Sequence, residues 1–216
     1  TSLKKANIKD SDNSLIIVGA GGLGMMGIQI AKAAFNVKPI VVDVDETKLE
    51  IALQSGASHA INSRDEDAAE RIYAITGGAA AVIDFVGSDL STGFATNLLR
   101  KGGKYIIVGL YGGELNHPLP MMVLMERNIQ GSYVGSLSNM KELMALVKED
   151  KIDPDFVSAL KLCKRRRIGA VRPSSNRELF YKKDMGILAR GGFNFGLSKR
   201  VLDLETDEFH KLIKII

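Results

Sequence analysis

The chain has 216 residues, 45% apolar and 25% charged, with a formal net charge of +4, enough for one large domain or an ordinary domain with a smaller companion. No apolar run approaches the roughly 20 residues of a membrane span, so no membrane partner is expected, and the polar opening TSLKKANIKDSDNS carries no secretory pattern. A single cysteine, Cys163, excludes an internal disulfide and a multi-cysteine zinc site and points to a cytoplasmic location.

The chain opens on Thr1 rather than Met, as expected of a piece of a longer protein or of a chain whose initiator has been removed. Its charge is uneven. Residues 1–152 carry 15 Lys and Arg against 17 Asp and Glu, whereas residues 153–216 carry 14 against 8. Two modules with different partners are expected, the basic one meeting an anion.

In chain order, LIIVGA (15–20) reads as a buried strand followed by a helix through Ala34. PIVVDV (39–44) is a second strand, with a Lys48–Ser55 helix closed by Gly56. HAIN (59–62) is a weak third strand, before a polar helix from Glu66 to Ile75 that stops at Gly77-Gly78. AAVIDFVG (80–87) is a fourth, with a helix through Leu99 ended by Gly102-Gly103. KYIIVGL (104–110) and IQGSYVG (129–135) are the fifth and sixth, and Ser138–Glu149 is the last helix of this pattern. Val/Ile-rich strands alternating with helices predict an α/β architecture, a doubly wound, parallel six-stranded sheet covered on both faces. Beyond Ile152 the strand signal ends, and 155–167, 176–190 and 197–214 read as a small all-helical segment. The domain boundary is expected at Ile152–Pro154, giving modules 1–152 and 153–216.

Gly19, Gly21 and Gly24 form G-x-G-x-x-G between a strand and a helix, the context of a dinucleotide-binding Rossmann loop. Gly19 allows the tight turn, Gly21 leaves room for a pyrophosphate, and Gly24 lets helix and sheet approach. Asp43 ends the second strand 19 residues beyond Gly24, where a carboxylate receives the adenosine ribose hydroxyls and repels a 2′-phosphate. The cofactor expected is therefore NAD in preference to NADP. The plainer reading of Asp43, as a strand end that caps the next turn, stands beside it.

The series LIIVGAGGLGMMGIQIAKA, VVDVDETKLEIALQSGASHAINS, AVIDFVGS, LLRKGGKYIIVGLYGG and NIQGSYVGS resembles the cofactor domain of the medium-chain, zinc-type alcohol dehydrogenases over residues 1–152. TSLKKANI resembles the helix that leads into that domain. The glycine spacing differs from that of short-chain dehydrogenases, and no Tyr-x-x-x-Lys dyad occurs. The resemblance implies that Gly19, Gly21, Gly22, Leu23 and Gly24 hold the pyrophosphate. It places Asp43 on the ribose with Lys48 nearby, although a solvated helix lysine fits that position equally. Phe85, Val86 and Gly87 would line the adenosine side, and Val108, Gly109, Leu110, Gly135 and Ser136 would approach the nicotinamide. It also implies a homo-oligomer formed through the edge of the sixth strand.

Complete members of that family oxidise an alcohol or polyol at a zinc ion held in a separate catalytic domain. No metal ligands and no catalytic residues are assigned here: His59, His117 and His210 are isolated, and Cys163 lies in a basic helix. The chain is expected to bind the dinucleotide with incomplete catalytic machinery. ALKLCKRRRIGAVRP and KKDMGILARGGFNFGLSKRVLDLE resemble the C-terminal three-helix repeat of RecX regulators. Its helices would be Asp155–Arg167, Glu178–Arg190 and Leu197–Leu204. That resemblance implies contact with RecA or nucleic acid through 161–200. Two partial families in one chain point to a fusion, a shifted reading frame or a chimera.

Overall fold

The structure, a computed structural model, describes residues 1–8, 14–149 and 155–214. Six short runs form strands: β1 (Leu15–Val18), β2 (Ile40–Asp43), β3 (His59–Asn62), β4 (Ala79–Asp84), β5 (Leu99–Ile107) and β6 (Asn128–Gly131). They pair in parallel throughout, in the order β3-β2-β1-β4-β5-β6. The winding reverses between β1 and β4, so the crevice beyond their carboxyl ends is the place where this architecture receives ligands.

Helices α1 (Ser2–Ala6), α2 (Gly22–Phe35), α3 (Glu46–Gln54), α4 (Ala68–Thr76), α5 (Asp89–Leu98), α6 (Leu119–Leu124) and α7 (Leu137–Lys148) accompany the strands. The pleat divides the apolar residues between the two faces. Ile16, Val18, Ile40, Val42 and Val82 pack with Ala68 and Ile72 of α4 and Ala95 and Leu98 of α5. On the opposite face Leu15, Ala81, Ile83 and Ile106 meet α1 and Ala31 of α2, and Ile17 and Val41 meet Ile28 and Ala52. Fully burying each such Ile or Leu contributes about 1.5–3 kcal/mol.

The expected strands are present, and all but β3 end before their apolar runs do, while β5 begins earlier than expected, at Leu99. Phe85-Val86-Gly87 and Val108-Gly109-Leu110 lie beyond β4 and β5 as loops, because the ladder ends before the apolar sequence does. Gly102-Gly103 does not end a helix: α5 stops at Leu98 and β5 begins at Leu99. Both glycines fall inside β5, where its register against β4 shifts between Ala79 and Ala81. A Cβ on Gly103 would lie 2.8 Å from the carbonyl oxygens of Ala79 and Arg100. Helix α3 starts two residues early because Asp45 caps it, accepting from the N–H groups of Thr47 and Lys48 at 2.9 and 3.4 Å. Helix α6 falls in a stretch given no element by the sequence pattern; Pro118 stands at its N-cap and Pro120 in its first turn, where the missing N–H costs nothing.

Contacts divide the chain into Thr1–Ile152 and Asp153–Ile216; the expected boundary at Ile152–Pro154 lies outside the described residues. The second unit comprises α8 (Asp155–Arg166), a 3-10 turn (Gly169–Val171), α9 (Ser174–Arg190), α10 (Phe195–Leu202) and α11 (Thr206–Lys214). Three helices were expected here and four are present: the last, α11, supplies Phe209 and Ile213, which complete a core with Leu160, Cys163, Ile168, Leu188 and Val201. Asp184, 1% exposed, accepts 2.7 Å hydrogen bonds from Arg172 Nε and Nη2, and a third from the Gly169 N–H at 3.1 Å.

Cys163 is fully buried, and burial pushes its thiol up to about 12. A thiol held protonated and covered is inert. Native protein at pH 8 is therefore expected to react with a disulfide reagent only as fast as the second unit opens. Immediate labelling, at the rate seen in denaturant, would contradict this packing.

Candidate functional site: the glycine loop and Asp43

The glycine loop joins β1 to α2. Gly19 has φ +93°, and its N–H donates to the Val42 carbonyl at 2.8 Å, turning the chain out of β1 against the end of β2. A Cβ on Gly24 would stand 1.9 Å from the Gly19 carbonyl oxygen, so only glycine lets α2 start this close to the strand. Gly27, one turn on, lies against the Phe85 ring, with 3.2 Å from its Cβ position to Cε2.

Gly21 and Gly22 are different. A Cβ on either meets nothing within 4 Å, so the space above the loop is open. Gly21 is the N-cap of α2, with φ −75° and no side-chain cap. The N–H groups of Gly22, Leu23 and Gly24 have no intrahelical acceptor and sit at the positive end of a 14-residue helix. This geometry suits a phosphate. The Leu23 side chain is 64% exposed, so its part in such a site is its backbone N–H.

Asp43 stands beside that helix start. One carboxylate oxygen, Oδ2, accepts from the Ala20 N–H at 2.7 Å; the other accepts from Val44 and Asp45 at 2.8 and 3.1 Å. Lys48 Nζ lies 3.8 Å from Oδ1, and the Asp43 side chain is only 8% exposed. Asp43 therefore caps the turn after β2, as the plainer reading expects, and it also ties the glycine loop to that turn. Of the roughly four acceptor positions of a carboxylate, three face backbone N–H groups. A ribose would share that oxygen pair with the loop rather than meet it free.

The loops after β4 and β5 form the other wall. Val86 covers Gly19, its Cγ2 2.8 Å from the Gly19 Cβ position, and Gly87 and Gly109 touch backbone to backbone. The N–H groups of Tyr111 and Gly113 donate to Val86 and Gly87 at 3.2 and 3.0 Å. Phe85 is committed to packing under α2, and Leu110 is 86% exposed. Ser136 caps α7 by accepting from the Asn139 N–H at 3.2 Å, and Gly135 lies against Thr1. Ser136 is thus held by its own helix and Gly135 by the chain's first residue.

Sequence reasoning missed Asp84. It is fully buried at the end of β4 and accepts from the N–H groups of Val86 and Gly87 at 2.7 and 3.0 Å, from Ser91 Oγ at 2.8 Å and from Tyr105 OH at 2.7 Å. Burial pushes the Tyr105 phenol well above its ordinary range, and the Asp84 charge adds to it, so Tyr105 remains a donor. The signal was present: an Asp closing the apolar run AAAVID must have partners if it is buried.

Among the described residues no three His, Cys, Asp or Glu side chains gather into a metal site, and no helix is long and apolar enough to cross a membrane. His117 pairs with Arg127 Nη1 at 3.0 Å, and burial followed by that guanidinium lowers its pKa. The described residues do not offer the ligand set that a zinc ion requires. In the second unit several cations are already engaged. Arg172 holds Asp184, Arg177 donates to the Ala170 and Leu204 carbonyls at 2.9 and 3.2 Å, and Arg200 lies 4.2 Å above the Phe156 ring.

Over 164 residues the chain is 39% identical to an NAD-dependent alcohol dehydrogenase of Sulfurisphaera tokodaii and 38% to one of Saccharolobus solfataricus, covering 74% of this chain and 47% of each relative. An alcohol dehydrogenase of Aeropyrum pernix superposes with a TM-score of 0.63 at 30% identity, over 76% of this chain and 50% of that one. The D-arabinose dehydrogenase of Sulfolobus solfataricus gives 0.65 at 29%, over 71% and 49%. The chain spans about half the length of the relatives it matches. Residues 22–149 match the zinc-binding dehydrogenase family, and the chain belongs to it.

Proposed function

We propose that residues 1–149 bind NAD and that, in a complete protein, this unit carries the dinucleotide during oxidation of an alcohol or polyol. The observation that carries the reading is the pair of glycines, Gly21 and Gly22, whose Cβ positions open onto free space at an uncapped helix start beside Asp43. The nicotinamide ring, when bound, accepts the hydride. The chain's own contribution is to hold the pyrophosphate on the N–H groups of Gly22–Gly24 and the ribose on Asp43. Asp84 fixes the Val86-Gly87 wall by its two N–H bonds. Val108 and Gly109 would carry the backbone of the nicotinamide side.

Preference for NAD over NADP rests on the Asp43 carboxylate, which a 2′-phosphate would approach at like charge. Asp43→Ala also frees the Ala20 N–H, so NADH affinity is expected to fall about tenfold or more, while NADPH affinity holds or rises. An NADH to NADPH affinity ratio unchanged from wild type would remove Asp43 from the site.

A homo-oligomer through the β6 edge is supported by pairing of β6 to β5 alone among the described strands, and by exposed Tyr133, Val134 and Leu137 just beyond it. A cytoplasmic location is supported by the single free thiol, which needs no oxidising compartment. For the second unit, contact of 161–200 with RecA or nucleic acid is supported by its exposed cations.

A further inference from the structure

Four of those cations share one groove. Between α8 and the C-terminal end of α9, a cavity of about 390 Å³ is lined by Leu162, Arg165, Arg166, Ile187, Arg190 and Gly191. A second, of about 330 Å³, shares Leu162, Arg165 and Gly191 with it and adds Ser158, Lys161 and Phe193. Lys161, Arg165, Arg166 and Arg190 are exposed, and none has an ion-pair or hydrogen-bond partner among the described residues. Among the described residues no carboxylate lines either cavity.

The floor is apolar. Leu162, Ile187 and Phe193 are half-buried and pack on the core of the unit, with their outer surfaces left in the groove. Lys161 and Arg165, four residues apart on α8, stand one above the other along one wall. Arg190 rises from the other wall, in the last turn of α9. An apolar trough with cations at one-turn intervals along its rim is complementary to a helix with an apolar face flanked by carboxylates at the same interval.

We infer that this groove is a docking site for an acidic amphipathic helix of a partner protein. The inference rests on reading 161–200 as an anion-facing surface, and it selects a protein segment over nucleic acid. A single-strand binder offers aromatic platforms on which successive bases stack. Here Phe193 is the one aromatic side chain lining the groove among the described residues, and the rest of the floor, Leu162 and Ile187, is aliphatic. A phosphate backbone would use the rim cations and leave Leu162 and Ile187 uncovered. An acidic amphipathic helix uses both.

The test is fluorescence anisotropy with the full chain and three labelled probes: a helical peptide with Leu on one face and Glu on the other, a poly-Glu peptide of equal length, and a single-stranded oligonucleotide. The Leu/Glu peptide is expected to saturate and to bind about tenfold or more tighter than poly-Glu. Arg165→Glu and Arg190→Glu are each expected to weaken it by about tenfold or more, with Cys163 protection and NADH binding unchanged. Equal binding of poly-Glu would reduce the groove to a charged surface and overturn the inference. Tighter binding of the oligonucleotide would overturn it in favour of nucleic acid, while leaving the anion-facing reading intact. Failure of all three probes at low salt would remove both.

Discussion

Gly21→Val is expected to leave the fold of residues 1–149 intact and to weaken NADH binding about a hundredfold or more. The backbone at Gly21 lies at φ −75°, ψ −168°, a conformation open to any L-residue, and the added side chain meets no protein atom within 4 Å at its Cβ. The cost in stability is therefore below about 1 kcal/mol, the scale of an exposed N-cap change. The valine methyls instead occupy the space in front of the Gly22–Gly24 N–H groups. Gly24→Ala separates the two roles of the motif. Its Cβ would stand 1.9 Å from a backbone oxygen that cannot move without opening the β1–α2 turn, and the expected destabilisation is about 3 kcal/mol. Denaturant unfolding and NADH titration on both variants distinguish them. Loss of stability in Gly21→Val, or none in Gly24→Ala, would contradict the assignment.

Asp184→Ala is expected to be the most damaging single change in the second unit. It leaves Arg172 without its bidentate partner and the Gly169 N–H without an acceptor, at a site where Asp184 is 1% exposed. Removing one member of a buried pair costs about 3–5 kcal/mol. Cys163, the one cysteine of the chain, reports the effect directly because it sits in the core of the same unit. Its labelling rate in native buffer is expected to rise by about two to four orders of magnitude. An unchanged rate would show that the pair contributes nothing to closure.

The parallel sheet was legible because each strand is a short Val/Ile-rich run between helical stretches. Its strand ends were not, since Phe85-Val86-Gly87 and Val108-Gly109-Leu110 continue the apolar pattern after the ladder has ended. Those overshoots fall at the candidate site, where the chain leaves the sheet to build the wall across from the glycine loop. Gly19, Gly24 and Asp43 could be placed from spacing alone, because the motif couples a turn, a close approach and a strand end at fixed distances. The Asp84 network could not. Ser91 and Tyr105 reach it through the packing of α5 and the register of β5 on β4, with Tyr105 opposite Val82, which the local sequence does not specify. In the second unit the helices were legible from composition. The break at Asp203–Glu205 that creates α11 was hidden within one helical pattern.

Calorimetric titration of the purified chain with NADH, and with NADPH for comparison, bears on all of this at once. Saturable binding that favours NADH, and is absent in Gly21→Val, is the predicted result. A folded chain that shows no saturable heat with NADH, or that prefers NADPH, would contradict the reading of the glycine loop and Asp43 as an NAD site.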